Sequence, residues 1–337
     1  MKIAIMGCSF SSGEECRDWE ILPLNDETLK DGRRKHSMPH VEYRNLKLET
    51  LLENGWSGYE EWNCYCDKFE YASLLGNEGH SVVNFSKRGM GLNFHHFIHT
   101  LPLIPEEFIT NKINNKLYHW SNQMAIDSQD MRYKSHLIMS NYWPEFYVPD
   151  SIYPTNNFEN HAIKDAPRYY NSEPKNFDYI LDADVLIWQR TMEPRLTLTQ
   201  PFPNEKNQLL IGGAIDTTMA VGWIENQIFS EKEKSILKNY YENLYDGGEQ
   251  YAKDLRWIES ILRIRKESGK RTIVITLSPT NVENVNINYY NAEVHAPKEG
   301  LLSKLVGINK VKDYVANYGH LNDKGHELIK NYLVGIL

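Results

Sequence analysis

Cysteine is scarce: Cys8, Cys16, Cys64 and Cys66 are the only four in 337 residues. That is too few for a disulfide framework at this length, and reduced, partly buried thiols are expected. Cys64-Tyr65-Cys66 leaves a one-residue gap where zinc ribbons favour two, so even with His36 and His40 upstream no metal site is expected. Long apolar runs are missing too. Nothing approaches the roughly 20 residues of a membrane span, so no membrane partner is expected. Basic excess is absent: the formal net charge of −8 and pI near 5.9 exclude a general nucleic-acid-binding surface. Arg33-Arg34-Lys35 and Arg263-Ile264-Arg265-Lys266 then read as solvated faces. Ile5-Met6-Gly7-Cys8 looks like a lipoprotein cleavage site, but the apolar run before it is far shorter than a signal core of about 7–15 residues. Synthesis in the cytoplasm without a signal peptide is expected, with later association with a particle left open.

Hydrophobic residues make up 41% and charged residues 24% of the chain, as in a folded globular protein. Five segments read as strands: Lys2–Met6, Ser81–Phe85, Asp184–Trp188, Thr272–Leu277 and Gly307–Val311. Helices fall between them. Ser230-Glu231-Lys232-Glu233 has capping-box form. Leu255, Ile258, Ile261 and Leu262 recur at helical spacing before Ser268-Gly269. A last helix begins near Asp323 with Asn322 as its N-cap. Nearly continuous apolar strands alternating with amphipathic helices predict an α/β fold, a parallel sheet covered on both faces. Two inserts interrupt it, a polar, turn-rich 23–66 and an aromatic-rich 101–180. The second is expected to form a cap or subdomain, its aromatics either its own core or a sugar-stacking platform.

In such a sheet, function gathers at the carboxyl ends of strands. The first strand ends in Gly7-Cys8-Ser9-Phe10-Ser11-Ser12-Gly13, a tight turn that exposes a hydroxyl beside free backbone N–H groups. The second ends in Asn84-Phe85-Ser86-Lys87-Arg88-Gly89-Met90-Gly91-Leu92-Asn93, where Gly89 offers another unhindered N–H. Near the C-terminus, Tyr318-Gly319-His320-Leu321-Asn322 puts an imidazole on a loop just before a helix. The P-loop pattern is absent, and neither G-x-G-x-x-G nor an acidic ribose partner follows the first strand, which argues against a nucleotide-binding domain. His95, His96 and His99 suggest either a metal site or, at helical spacing, a polar helix face.

Gly7-Cys8-Ser9-Phe10, Asn84-x4-Gly89 and His320-Leu321-Asn322-x2-Gly325-His326 resemble, in order and separation, blocks one, two and five of the SGNH (GDSL) hydrolase family. Asp184-Val185-Leu186-Ile187-Trp188-Gln189-Arg190-Thr191 with Arg195 resembles block three of a divergent, phage-type branch. The resemblance implies a flavodoxin-like three-layer α/β/α domain with about five parallel strands, spanning 1–337 with both inserts between blocks. It also implies acyl-ester hydrolysis: Ser9 the nucleophile, His320 the general base, and an oxyanion hole from the Ser9 and Gly89 N–H groups plus a donor from Gln189 or Thr191. Asn93 and Arg195 are the implied substrate contacts, and a small acyl ester or acylated glycan the implied substrate. No cofactor is needed for that chemistry.

Two positions depart from the pattern. Where an Asp is usual three residues before the histidine stands Asn317, whose carbonyl can hold the imidazole N–H but cannot stabilise its cation by charge. A backbone carbonyl, Asp313 or Asp323 is the alternative. The usual block-three Asn is missing, and Glu193 is nearby. A fold that has lost catalysis and serves as a binding or virion-associated structural protein is the competing expectation, and a homo-oligomer or a virion assembly is the protein partner left open. His326, one turn into the helix, reads as structural.

Overall fold

Short apolar strands that bury both faces must stack side by side, and here they do. The computed structural model describes residues 1–86 (except 9, 10, 12, 14, 31, 36, 37 and 39), 92, 95, 96, 99, 168–190 (except 174 and 176), 196–199, 211–214, 231–277 (except 245) and 287–337 (except 297 and 318). β1 (Lys2–Met6) lies between β2 (Ser81–Asn84) and β4 (Val185–Arg190), with Ile3 opposite both Val82 and Val185. β7 (Arg271–Thr276) flanks β4, and β8 (Glu293–His295) flanks β7, all in parallel. β3 (Arg168–Tyr170) closes the other edge, antiparallel to β2. The sheet is therefore mixed, with order β3-β2-β1-β4-β7-β8. Its direction of winding reverses at β1 and β4, the switch point where open α/β sheets hold ligands. A separate hairpin pairs β5 (Leu196–Thr199) with β6 (Ile211–Ala214).

Alternation along the strands serves two cores. Ala4, Met6, Leu186, Trp188 and Val274 pack on one face against Tyr179 and Ile180 of α4 (Tyr179–Asp182) and Trp257, Ile258 and Ile261 of α6 (Gly247–Glu267). Ile3, Ile5, Ile187, Ile273 and Ile275 pack on the other against α3 (Tyr71–Asn77), α7 (Leu301–Val306) and α8 (Asp323–Ile336). Helices on both faces give three layers, as the patterning predicts. The caps agree with it as well: Asn322 Oδ1 accepts from Gly325 N at 2.9 Å at the start of α8. α5 (Glu231–Asn243) precedes α6, whose cap is Asp246 accepting from Glu249 N.

Three further expectations change, besides the parallel sheet that β3 makes mixed. Gly307–Val311 is not a strand; Ile308–Tyr314 is a 3-10 helix that buries Val311 and leaves Asn309 and Lys310 in water. The fifth parallel strand is β8 instead. The segment 23–66 is not only turns, because it forms α1 (His40–Glu53) and α2 (Tyr59–Cys66), which bury Leu51, Trp62 and Cys66 against Cys16. The end of the aromatic insert joins the main fold: Arg168–Tyr170 is the sheet-edge strand β3, and Phe177, Tyr179 and Ile180 belong to the core. Residues 101–167, the body of the expected cap, lie outside the described residues. Among the described residues no helix is long and apolar enough to cross a membrane.

Candidate active site at the carboxyl end of β1

Gly7 and Cys8 leave β1 in the middle of the sheet and enter a turn closed by the Ser11 N–H to Cys8 carbonyl bond of 2.9 Å. Ser9 and Phe10 lie outside the described residues, as do Gly89, Asn93, Thr191 and Arg195. The frame around Ser9 is described in detail. From β4, Oε1 of Gln189 accepts from the Cys8 N–H at 3.2 Å and the Ser11 hydroxyl at 3.2 Å. The Tyr71 hydroxyl donates to Ser11 Oγ at 2.7 Å. From β2, Asn84 Nδ2 donates to the Ser11 carbonyl at 2.7 Å and to Glu70 Oε1 at 2.8 Å. Arg168 Nε and the Tyr170 hydroxyl also reach Glu70 Oε1, at 3.0 and 2.7 Å. Burial pushes the phenols of Tyr71 and Tyr170 up, so both stay neutral donors. His95 Nε2 faces the Gly7 carbonyl at 2.9 Å, and burial lowers its pKa to about 4.

The histidine loop closes on this turn. Val315 bridges Leu321, Ala316 N–H bonds to the His320 carbonyl at 2.8 Å and Gly319 N–H to the Ala316 carbonyl at 3.0 Å, which sets His320 on the returning arm of a tight loop. Gly319 takes φ +79, and a Cβ there would press on the Arg33 side chain at 3.2 Å. The start of α8 is then stitched to the first loop, Asp323 N–H to the Cys16 carbonyl at 2.9 Å and Asp323 Oδ2 to Arg17 Nη1 at 2.7 Å. Nδ1 of His320 comes to 3.1 Å from Oε2 of Glu15, whose side chain is 5% exposed.

This corrects the assignment of Asn317. Its Oδ1 accepts from Asn25 N at 2.8 Å and its Nδ2 donates to the Pro23 carbonyl at 2.9 Å, so the amide is committed to fastening the 23–25 segment. Asp323 is committed to Arg17 and to Trp19 Nε1, and Asp313 is exposed. Gln189 is likewise scaffold as placed: its carbonyl holds the turn, and its amide nitrogen donates to the Arg190 carbonyl. Glu15 is the residue that sequence reasoning missed; the only cue was two adjacent acids, Glu14-Glu15, in the loop that carries Ser9.

Behind Glu15 sits a buried ionic cluster. Asp18 accepts from the Tyr43 hydroxyl at 2.8 Å, Lys47 Nζ at 2.7 Å and Trp62 Nε1 at 3.0 Å. Burial opposes the Lys47 charge, yet Asp18 foremost, with Glu15 adding to it, raises its pKa. Burial, then Asp18 and Glu15, push the Tyr43 phenol far up. Burial pushes the Cys16 thiol up as well, which leaves it unreactive.

The other histidines that the motifs singled out, His326, His95, His96 and His99, are individually occupied. His326 accepts the Tyr71 N–H at Nδ1 (3.2 Å), and burial, aided by Arg168, lowers its pKa to about 3. His96 Nδ1 lies 2.5 Å from Asp254 Oδ1, while His99 takes the Trp257 indole N–H at Nδ1 and faces Asp178 at Nε2. His95, His96 and His99 are thus each held by partners of their own, Gly7, Asp254, and Trp257 with Asp178. Among the described residues no group of three or more His, Cys, Asp or Glu side chains could hold a metal ion.

Set against known proteins, the chain matches no family model, no curated protein and no solved structure.

Proposed function

We propose that the protein is a serine ester hydrolase of the SGNH type, removing an acyl group from a small ester or an acylated glycan. One observation carries this reading: the loop that bears Ser9 and the loop that bears His320 are stitched together at the switch point, through Asp323 N–H to the Cys16 carbonyl and through Glu15 to His320. In this mechanism Ser9 Oγ attacks the ester carbonyl while His320 takes its proton. The oxyanion is held by the N–H groups of Ser9 and Gly89, with Thr191 as a further donor. Collapse expels the alcohol, which receives the proton from the imidazolium. A water deprotonated by His320 then releases the acid and frees Ser9.

A fluorophosphonate probe and p-nitrophenyl acetate test this directly. Wild type is labelled stoichiometrically at Ser9 and turns over the ester, and Ser9→Ala loses both. Equal turnover by the two proteins excludes the reading. The inward-turned Gln189 favours a second one, a binding or structural protein on the same fold. It predicts glycan or protein binding that survives Ser9→Ala, with no labelling of either protein.

A further inference from the structure

We infer that Glu15, not a residue of the histidine loop, is the carboxylate that positions His320 and offsets its charge. This rests on reading the site as a serine hydrolase, but the pairing is testable without activity.

The geometry is specific. Glu15 Oε2 stands 3.1 Å from His320 Nδ1, with both side chains largely withdrawn from water. At this ion-pair distance the carboxylate acts on the ring by charge, favouring its protonated form. The other acids within sequence reach of the imidazole are committed or turned away, as are both ends of the Asn317 amide. Glu15 also holds φ +64, a left-handed conformation uncommon for a residue with a Cβ. Such backbone outliers persist where their surroundings impose them and gather at functional sites.

The charges around the pair come from several elements. From the first loop Glu15 and Asp18 face this region, from α1 Lys47 and the neutral Tyr43, from the segment before it Arg33 beside Gly319 and Arg34 on the Val315 carbonyl, and from α8 the neutral His326. Lys47 is bonded directly to Asp18. Among these acids Glu15 is the one whose carboxylate meets the imidazole, and it supplies there the negative charge that Asn317 lacks.

The test compares wild type with Glu15→Gln, Glu15→Asp and Asn317→Ala, by the pH profile of kcat/KM on p-nitrophenyl acetate and by NMR titration of the His320 ring in the full chain. Glu15→Gln should lower kcat/KM by about 10²–10⁴-fold and move the acid limb, together with the ring titration, about one pH unit lower. Glu15→Asp should restore the limb while recovering only part of the rate, and it stands in if the Gln variant does not fold. Asn317→Ala should leave limb and titration in place. An unmoved titration in Glu15→Gln, or a shift in Asn317→Ala equal to it, overturns the inference. An inactive wild type whose ring titration still answers to Glu15 refutes the hydrolase reading alone.

Discussion

Oε1 of Gln189 gathers the turn after β1, taking the Cys8 N–H and the Ser11 hydroxyl together, and it does so in space that only glycine leaves open. A Cβ on Gly7 would lie 2.8 Å from both Gln189 Oε1 and Ser11 Oγ. The need is close approach, since the backbone there does not take a left-handed angle. Gly7→Ala should therefore cost about 1–3 kcal/mol by overpacking and slow fluorophosphonate labelling of Ser9 more than it lowers stability. Urea unfolding beside labelling rates reads both effects. Gln189→Leu should do the same by releasing the turn.

Asn317 yields an expectation opposite to the family pattern. Asn317→Asp restores the usual acid three residues before the histidine, yet it sets a carboxylate oxygen where Nδ2 now donates to the Pro23 carbonyl. A bond becomes a repulsion between two acceptors. The variant should lose about 1–3 kcal/mol of stability at neutral pH, regain part of it as the new carboxyl protonates, and gain no rate. Thermal unfolding across pH 4–8 alongside ester turnover checks this.

What could be read in advance follows from range. The strands β1, β2, β4 and β7 declare themselves by unbroken apolar runs, because burial on both faces demands them. β8 does not, since an edge strand of three residues needs only Val294 to face the core, and Glu293 and His295 are polar. β3 was hidden because Tyr169 and Tyr170 looked like more of the aromatic insert. The helices α1 and α2 carry their contacts at few apolar positions, Tyr43, Leu51, Trp62 and Cys66, with an ion pair between Lys47 and Asp18 in place of a greasy stripe. The placement of His320 just before the last helix was legible from the Asn322 cap, while Ser9 lies outside the described residues. Glu15 was not, because a contact between the two ends of a chain leaves no periodic trace.

Acid should unfold the protein through its buried histidines. His326 and His95 hold pKa values of about 3 and about 4, both depressed by burial below the ordinary 6.5. The unfolded chain takes up those protons near pH 6.5 while the folded one refuses them. Stability from neutral burial is thus complete above that pH and lost as pH falls towards 4 and 3, at about 1.4 kcal/mol per pH unit for each ring. His326→Asn keeps an acceptor for the Tyr71 N–H and should remove about half of that slope, measured as unfolding free energy between pH 6.5 and 4.5.

Arg265 commits a charge to the core. Fully buried, it reaches the carbonyls of Ile180, Ala183 and Arg271 and the Thr272 hydroxyl, so that one guanidinium ties α6, the end of α4 and the start of β7. Burial lowers its pKa to about 10, with Asp184 and Asp182 opposing, so it remains charged at neutral pH. Arg265→Met fills the volume but strands several buried acceptors, a loss of about 3–5 kcal/mol. Arg265→Lys should recover little, because an ammonium cannot span a fork of partners that far apart. Both variants should bind no less tightly to substrate once folded, since Arg265 ties α6 to the start of β7, at the opposite end of the sheet from the carboxyl end of β1. Equilibrium unfolding of Met and Lys variants that comes out within 1 kcal/mol of wild type would contradict this role for the guanidinium.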